Sequence, residues 1–397
     1  MVEWKPLYKL VKSISTGLNP RQNFILNEED ASLYYVTVKE ITTNKVIFSD
    51  STDRITENAK QIINNRSKLS KGDILFSGIG TIGKVAYVDI PTSNWDCSES
   101  VFLIKPNELE TKGKYLAYIL SSDIAKNQYE RGAAGAIMKG VRKATLESLL
   151  IPIPSLSEQQ RIVEQLDTFT NSIENLKQQI AQRRKQYEYY RDQLLDLKDY
   201  EIIEKLSFGG DFMLKARIGW QGLTKKEYRE TGDYKLITGT DFTKFNRIDF
   251  DNCVYVDKER YDQDPYIQIH EDDVLITKDG TLGKIAYIDK MDMPATLNGG
   301  VFVVRDNSNR VIQKFLMYYL TSSYFLNWMK QNHTQGSIQH LTQALLSKFT
   351  IPVVPKDKQR QIIEILDAFT NSIQNLEAQL YHREKQYEYY RNKLFTF

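Results

Sequence analysis

Cysteine and histidine are scarce in this chain of 397 residues, which has two cysteines, Cys97 and Cys253, and four histidines. Two cysteines exclude a disulfide-built scaffold and a cysteine-rich zinc finger. Long apolar runs are also missing, so no segment is expected to span a membrane. The first residues, Met-Val-Glu-Trp-Lys, lack the apolar stretch of a secretory signal. We therefore expect a cytoplasmic globular protein.

An excess of charge of one sign is absent as well. The chain has 53 Lys and Arg against 51 Asp and Glu, a net charge of +2. Residues 1–150 contain 20 basic and 17 acidic side chains, and residues 201–350 contain 19 and 20. Net charge therefore neither indicates nor excludes a nucleic-acid partner, and any basic surface must be local.

The chain repeats itself at an offset of 200 residues. Residues 162–176 match residues 362–376 closely, and the run Lys-Gln-Tyr-Glu-Tyr-Tyr-Arg occurs identically at 185–191 and 385–391. Upstream, Gly72-Asp-Ile-Leu75 and Gly80-Thr-Ile-Gly-Lys-Val-Ala86 align with Asp272-Asp-Val-Leu275 and Gly280-Thr-Leu-Gly-Lys-Ile-Ala286. Each half thus has a variable body and a nearly constant tail. Similar tails indicate one kind of partner, whereas differing bodies indicate two different targets.

Both tails have the heptad spacing of a helix that packs along another helix. The seam of the first tail consists of Ile162, Leu166, Phe169, Ile173, Leu176, Ile180, Arg183, Tyr187, Tyr190 and Leu194. The seam of the second consists of Ile362, Leu366, Phe369, Ile373, Leu376, Leu380, Arg383, Tyr387, Tyr390 and Leu394. Ser157 and Asp357 are the predicted N-caps.

Two arrangements of these helices are open: a core pair inside one large fold, or a rod between two globular bodies. Heptads do not reveal helix direction. We favour the rod with antiparallel helices, because a tandem repeat then places its two bodies at opposite ends.

The bodies show alternating segments typical of strands, followed late by one amphipathic helix, and this order predicts an α+β fold. The helix is predicted from Lys114 to about Lys126 and from Ile312 to about Met329, with a glycine-bearing loop after each, at 131–137 and 332–338. The predicted strands are residues 34–39, 73–76, 85–88, 101–104, 234–238, 274–277, 285–288 and 301–304.

Gly78-Ile-Gly-Thr-Ile-Gly83 matches a dinucleotide-binding motif and, with Lys84, nearly matches a P-loop. Both motifs require a following helix, whereas a strand is predicted here. We therefore interpret the segment as a turn between two strands. It is either a plain hairpin turn or one whose glycine amides and lysine, Lys84 or Lys284, approach a phosphate of nucleic acid.

A small basic cluster, Lys139-Gly-Val-Arg142-Lys143, follows the glycine loop, and its copy Gln339-His-Leu-Thr-Gln343 is polar. The cluster is either solvated surface or a contact to bases and phosphates, and in the second case the two copies would differ in specificity. The candidate DNA-binding residues are Gly80, Thr81, Lys84, Lys139, Arg142, Lys143, Lys278, Thr281, Lys284, Gln339 and Gln343.

Motifs of catalysis are missing. The histidines form no metal-spaced pair with cysteine or carboxylates, no Gly-x-Ser-x-Gly occurs, and Asp264-Pro-Tyr266 lacks the second proline of the amino-methyltransferase motif. We therefore predict a non-catalytic recognition or scaffold subunit, with no catalytic, metal or cofactor site.

The ordered set of motifs, present twice at one offset, resembles the DNA-specificity subunit of type I restriction–modification enzymes along essentially the whole chain. The set consists of the Gly-Asp-Ile-Leu and Gly-Thr-Ile-Gly-Lys-Val-Ala segments, the glycine loop followed by Ile-Pro, and Glu158-Gln-Gln-Arg-Ile162 at the start of a long helix. The second copy departs from it, with Lys358-Gln-Arg-Gln361 at that place.

The resemblance implies an α+β fold with two target-recognition domains separated by two long helices, which form an antiparallel coiled coil in a pseudo-two-fold tandem repeat. The implied boundaries are 1–155 and 206–355 for the domains, and 156–205 and 356–397 for the helices. Each domain would read one half of a bipartite site in double-stranded DNA.

The resemblance also implies partners and cofactors. The helices would dock two methyltransferase subunits, which bring S-adenosylmethionine and methylate adenine N6. Two motor-nuclease subunits, using ATP and magnesium, would join for cleavage, and this chain would bind none of these cofactors. Two alternatives remain open: a coiled-coil scaffold with two protein-binding heads, and the specificity subunit of a system whose partner chain both methylates and cuts.

Overall fold

The computed structural model describes residues 2–42, 44–132, 140–197, 204–219, 222–279, 282–332 and 341–397. The chain forms two compact units, and the division cuts through both long helices. The first unit consists of Met1–Lys177 and Gln379–Phe397, and the second of Gln178–Ala378. Each unit therefore contains one body, the first part of one long helix and the last part of the other.

The first repeat is built from nine strands and five α-helices within the described residues. In chain order they are β1 (Glu3–Pro6), β2 (Val11–Thr16), β3 (Leu33–Val36), β4 (Arg54–Ile55), α1 (Glu57–Asn64), β5 (Ile74–Ser77), β6 (Val85–Tyr87), β7 (Trp95–Cys97), β8 (Val101–Pro106), α2 (Gly113–Leu120), α3 (Asp123–Gly132), α4 (Lys143–Glu147), β9 (Leu150–Ile153) and α5 (Leu156–Leu195).

The second repeat follows the same plan in its described part. Its elements are β10 (Glu204–Ser207), β11 (Phe212–Lys215), β12 (Tyr234–Ile237), β13 (Val254–Val256), α6 (Lys258–Asp262), β14 (Val274–Thr277), β15 (Ile285–Tyr287), β16 (Ala295–Leu297), β17 (Val301–Asp306), α7 (Gln313–Thr321), α8 (Ser323–Asn332), α9 (Gln343–Leu346), β18 (Thr350–Val353) and α10 (Lys356–Leu394).

Both bodies have the same sheet topology. The first has a four-stranded antiparallel sheet in the order β2-β8-β5-β6, a three-stranded sheet β4-β3-β7 and the pair β1-β9. The second has β11-β17-β14-β15, β13-β12-β16 and β10-β18. Register repeats too, because Ile74 pairs with Ile104 and Val274 with Val304. The predicted α+β fold and tandem repeat are confirmed.

The four-stranded sheet of each body separates two apolar clusters. In the first body, Phe76 and Ile104 face the cluster that contains α2, whereas Leu75 and Leu103 face a second cluster with Trp95. This is the alternation that a strand with two covered faces produces. Burial on both faces explains why the strand segments are apolar throughout.

Each predicted late helix is in fact two helices, so the prediction of one continuous helix was wrong. The first breaks between Leu120 and Asp123, and the second between Thr321 and Ser323. At each break the hydroxyl of a buried serine, Ser122 or Ser322, donates to the carbonyl three residues earlier. Such bonds compete with the helical hydrogen bonds of the backbone.

The two long helices run antiparallel. In the first unit, the Phe169 ring stacks on Tyr390 at 5.3 Å, and further along α5 the Lys177 ammonium lies 3.0 Å from Glu384. As the residue number on α5 increases, the number of the contacting residue on α10 thus decreases. In the second unit Tyr190 stacks on Phe369 at 5.5 Å. The antiparallel coiled coil is confirmed.

The polar seam residues have a defined contact. The guanidinium of Arg183 lies 5.8 Å from the centre of the Phe369 ring, and Arg383 lies equally far from Phe169. A cation above an aromatic face is attracted by the ring quadrupole. The arginine therefore covers the aromatic ring of the opposite helix, which explains its place in an apolar seam.

Neither predicted N-cap is in the capping position. Helix α5 begins at Leu156, and the backbone N–H of Glu158 donates to the hydroxyl of Ser155, so Ser155 provides the cap instead of Ser157. Asp357 lies inside the first turn of α10. Its carboxylate there favours the helix through the dipole.

Candidate nucleic-acid interface

The glycine turn of the first body joins β5 to β6 and is held from within by Ser77. The Ser77 hydroxyl donates to the carbonyl of Thr81 at 2.6 Å and accepts from the N–H of Lys84 at 2.8 Å. The Ser77 carbonyl accepts from the N–H of Gly83 at 3.0 Å. The segment is therefore a hairpin turn, and Thr277 makes the corresponding bonds with Lys284 and Gly283 in the second body.

The turn contacts the segment that carries the basic cluster. The carbonyl of Gly78 accepts from the N–H of Val141 at 2.9 Å, and Ile79 pairs with Gly140. Arg142 and Lys143 follow directly and are exposed, with the Lys143 ammonium 3.6 Å from Glu147. Two stretches that are far apart in the sequence thus form one surface.

The second body builds the same surface from different side chains. Lys278 replaces Gly78, its N–H donates to the carbonyl of Gly300 at 2.8 Å, and its carbonyl accepts from the N–H of Leu341 at 3.1 Å. The Lys278 ammonium lies 5.3 Å from the centre of the Phe302 ring. A side chain at Gly78 has no such room, because its Cβ would lie 2.4 Å from a Phe102 ring carbon.

Lys84 and Lys284 are common to both turns, whereas the cations that differ between the bodies lie at different places. They follow the turn in the first body, as Arg142 and Lys143, and lie in the turn in the second, as Lys278. The residues equivalent to Arg142 and Lys143 are Thr342 and Gln343. The Gln343 side-chain amide donates to the carbonyl of Leu214 at 3.1 Å, which fixes it to its own body.

The remaining candidate DNA-binding residues are placed as follows. The Lys84 ammonium donates to the carbonyl of Val38 at 2.8 Å. A lysine ammonium has three donors, so this bond and a phosphate contact are compatible, and the phosphate contact stays a prediction. Gly80 lies exposed at the tip of the turn. Lys139, Thr281 and Gln339 lie outside the described residues, as does most of both predicted glycine loops.

Two buried glutamines attach the long helices to the bodies, a role that the sequence reasoning missed. The Gln159 carbonyl oxygen accepts from Thr111 and from the N–H of Lys112, and its amide donates to Pro154. Gln359 accepts from the N–H of Ile312 and donates to two further carbonyls. The sequence signal that could have identified them is that glutamine occupies this position in both repeats, whereas the residues on either side of it differ.

A second attachment is also duplicated. The Asp167 carboxylate on α5 accepts from the Tyr118 hydroxyl at 2.6 Å and lies 2.8 Å from the Lys114 ammonium. Asp367 repeats both contacts with Tyr318 and Lys314, at 2.6 and 2.7 Å. Burial and the adjacent carboxylate raise the pKa of Tyr118, so its hydroxyl stays protonated and can donate.

The seam residues predicted to dock a partner differ in burial, and their docking role stays a prediction. Ile162, Leu166 and Ile173 pack in the core of the first body, Ile362 and Leu366 in that of the second, and Ile373 is also buried. Tyr190 and Tyr390 are 46% and 42% exposed, although each stacks on a phenylalanine of the opposite helix and lies edge-to-face with the preceding tyrosine. Part of each ring is therefore exposed to solvent.

Among the described residues, no group of three or more His, Cys, Asp or Glu side chains is arranged to hold a metal ion. Within the same part of the chain, none of the helices combines the length and the apolar character needed to cross a bilayer.

Comparison with known proteins identifies the family. The model of the type I restriction modification DNA specificity domain matches residues 5–183 and 221–383. The specificity subunit of the type I restriction enzyme EcoR124I/EcoR124II of Escherichia coli is 26% identical, covering 100% of this chain and 94% of its own length. A putative type I specificity subunit of Methanocaldococcus jannaschii, MjaX, is 24% identical over 99% of this chain and 92% of its own length.

Solved structures share the fold. The S subunit of a type I restriction–modification system from M. genitalium superposes with a TM-score of 0.57 at 18% identity, covering 100% of this chain and 97% of that one. A chain from a study of complex assembly in the type I R-M system gives 0.63 at 17% identity, with 99% and 97% covered. The duplicated bodies, the antiparallel helices and the two matches of the family model lead to one conclusion: the chain belongs to the family of type I restriction–modification DNA-specificity subunits.

Proposed function

We propose that the two bodies read the two halves of a bipartite site in double-stranded DNA. The observation that carries this proposal is one surface built twice with different side chains. In both bodies a glycine turn contacts the segment before a short helix, but the cations that differ are Arg142 and Lys143 in one body and Lys278 in the other. A common frame with different contacting groups is what two different half-sites require.

The chain acts without chemistry of its own in this proposal. Two methyltransferase subunits dock on the long helices and methylate adenine N6 with S-adenosylmethionine, and two restriction subunits use ATP and magnesium. Membership of the family supports this division of labour. The run Lys-Gln-Tyr-Glu-Tyr-Tyr-Arg, identical at 185–191 and 385–391, contains the partly exposed Tyr190 and Tyr390, and this repetition supports two copies of one docking partner.

The test is a map of methylated adenines. This chain is expressed with its candidate methyltransferase in a host that lacks adenine methylation, and modified positions are read by sequencing. A motif of two short half-sites with a fixed gap is the expected result. A soluble complex that neither methylates nor binds DNA would contradict the proposal and favour a protein-binding scaffold.

Exchange of one body tests whether the half-sites are read independently. Replacing residues 1–150 by another recognition domain is expected to change one half-site and leave the other unchanged. The matched exchange of residues 201–350 is the control, and it should change only the opposite half-site. A change of both halves by either exchange would contradict independent reading.

The contribution of the basic cluster is measured by salt dependence. Arg142→Thr with Lys143→Gln gives the first body the residues of the second, and Thr342→Arg with Gln343→Lys does the reverse. Each phosphate contact contributes about −0.9 to the slope of log K against log salt. The first exchange should make the slope of the complex shallower by up to about 1.8 units, and an unchanged slope would show that these cations face solvent.

A further inference from the structure

Two ion pairs between the long helices join equivalent positions of the two repeats, but with the basic and acidic residues exchanged between those positions. In the first unit, Lys177 of α5 pairs with Glu384 of α10 at 3.0 Å. In the second unit, Arg184 of α5 pairs with Glu377 of α10. Residue 377 is the repeat equivalent of 177, and 384 is the equivalent of 184. Both positions are therefore basic on α5 and acidic on α10.

The apolar seam does not distinguish the two helices. Phe169 stacks on Tyr390 in the first unit, and Tyr190 stacks on Phe369 in the second. Because both helices carry phenylalanine and tyrosine at equivalent positions, two copies of the same repeat have all the groups for the same stacks. Apart from Ile180 and Leu380, which are both apolar, the seams are identical, and the charged differences between the helices lie at residues that flank the seam.

A third contact is exchanged in the same way. In the first unit, the Asn392 side-chain oxygen accepts from the N–H of Asp123 at 3.1 Å, and its amide donates to the Asp123 carboxylate at 2.6 Å. In the second unit, the Asp192 carboxylate accepts from the N–H of Ser323 at 3.1 Å. Each unit thus places one carboxylate next to one neutral side chain. The body supplies the carboxylate in the first unit, as Asp123, whereas the long helix supplies it in the second, as Asp192.

Pairing of like repeats would place like charges together at both ion-pair positions, and for two first repeats also at the third contact. Two copies of the first repeat would place Lys177 against Arg184 and Asp123 against Asp192. Two copies of the second would place Glu377 against Glu384. Like charges in contact are unfavourable by amounts similar to the gain from opposite charges.

We propose that these flanking residues make the long helix of each repeat select the other repeat and reject a second copy of its own. The surface that is selected carries acidic side chains opposite Lys177 and Arg184, and a neutral side chain opposite Asp123. Pairing of unlike helices, within one chain or between two chains, is therefore favoured over pairing of like helices.

The first test compares three full-length chains by urea unfolding. The all-basic variant carries Glu377→Lys and Glu384→Arg, which reproduces the pairing of two first repeats. The charge-exchanged variant adds Lys177→Glu and Arg184→Glu, which restores opposite charges between the helices. All three chains carry Lys244→Asn, because Lys244 also pairs with Glu377 and the equivalent residue of the first repeat is Asn44. Exposed ion pairs change an equilibrium by roughly twofold to fivefold each. With two pairs reversed, the all-basic variant should lose about thirtyfold in folding constant, and the charge-exchanged variant should recover most of it. Equal stability of all three chains would overturn the proposal.

The second test does not depend on the stability of one variant. An all-acidic chain, with Lys177→Glu and Arg184→Glu only, is refolded together with the all-basic chain. Their helices match between chains but not within a chain, so native mass spectrometry should show pairs containing one chain of each kind. Wild-type chains with two different tags are the control and should not mix. A mixture without an excess of such pairs would overturn the selection.

The third contact has its own matched control. Asn392→Asp places two carboxylates together in the first unit, and adding Asp123→Ser reproduces the combination found in the second unit. The single change should lower the folding constant by about tenfold, because the hydrogen bond to the Asp123 carboxylate is lost and two carboxylates meet, and the second change should restore it. Asp192→Asn, opposite Ser323, creates no like-charged contact and should cost less. None of these measurements involves DNA, so their outcome is separate from the proposed function.

Discussion

Replacing Gly83 by alanine should destabilise the first body more than the same change at Gly80, although both glycines lie in one turn. Their φ angles are +82° and +81°, so alanine at either position pays the same left-handed backbone cost, about 1–2 kcal/mol. The surroundings differ. A Cβ at Gly80 has nothing within 4 Å, whereas one at Gly83 would lie 2.0 Å from the Tyr129 hydroxyl.

Overpacking of this kind costs about 1–3 kcal/mol, so Gly83→Ala should lose roughly 2–5 kcal/mol in the free energy of unfolding and Gly80→Ala only the backbone part. Urea unfolding of the full chain with an unchanged m-value is the assay. In a Tyr129→Phe background the penalty at Gly83 should fall, because the nearest atom is removed. Equal losses at the two glycines would refute the close packing of the turn on Tyr129.

The second repeat provides a graded comparison. A Cβ at Gly283 would lie 2.5 Å from the terminal methyl carbon of Met329, which is the end of a flexible side chain. Gly283→Ala should therefore cost less than Gly83→Ala and more than Gly80→Ala. A loss at Gly283 as large as that at Gly83 would show that the methionine does not adjust.

Other changes have defined outcomes. Burial raises the pKa of Asp96 to about 7, against about 3.9 in the unfolded chain, so the free energy of unfolding of the wild type falls as pH rises from about 4 to 7. Asp96→Asn should therefore stabilise the protein above pH 7 by at most about 4 kcal/mol and give no such gain below pH 4. Urea titrations at several pH values measure both. Asp167→Asn and Asp367→Asn should each lower the free energy of unfolding by about 1–3 kcal/mol, because a buried tyrosine hydroxyl and a lysine lose a charged acceptor. Unequal losses would contradict the equivalence of the two attachments. Leu176→Asp with Leu376→Asp should separate the long helices and abolish complex assembly, and intact methylation by the double variant would contradict a docking role for the paired helices.

Much of the fold could be predicted because its signals are local. Strands at residues 274–277 and 301–304 lie in apolar runs between turn residues, and the structure places β14 and β17 there. The heptad seam runs through both tails without a break, so long helices followed from the period of the pattern. The break at Ser122 was missed, because the apolar spacing continues across it and only a side-chain bond to the backbone interrupts the helix.

The candidate interface was predictable only in part. The glycine turn and the cluster of Arg142 and Lys143 were visible as separate motifs, but their contact through Gly78 and Val141 was not. Lys84 illustrates the limit of a motif. Its place in the sequence left a plain hairpin turn and a phosphate contact both open, whereas its bond to Val38 depends on a loop that packs beside the turn.

By itself, the sequence determined that the protein is a tandem repeat of two α+β bodies with two heptad helices, because duplication, strand alternation and helical spacing are written in neighbouring residues. Only the tertiary structure decided that the helices run antiparallel, and that the end of each helix packs in the unit that holds the other repeat's body. It also decided which flanking residues meet, such as Lys177 with Glu384 and Asp123 with Asn392. The physical reason is that such contacts join residues from different repeats. The local period of a sequence does not encode which distant side chain lies opposite, so packing in three dimensions decides it.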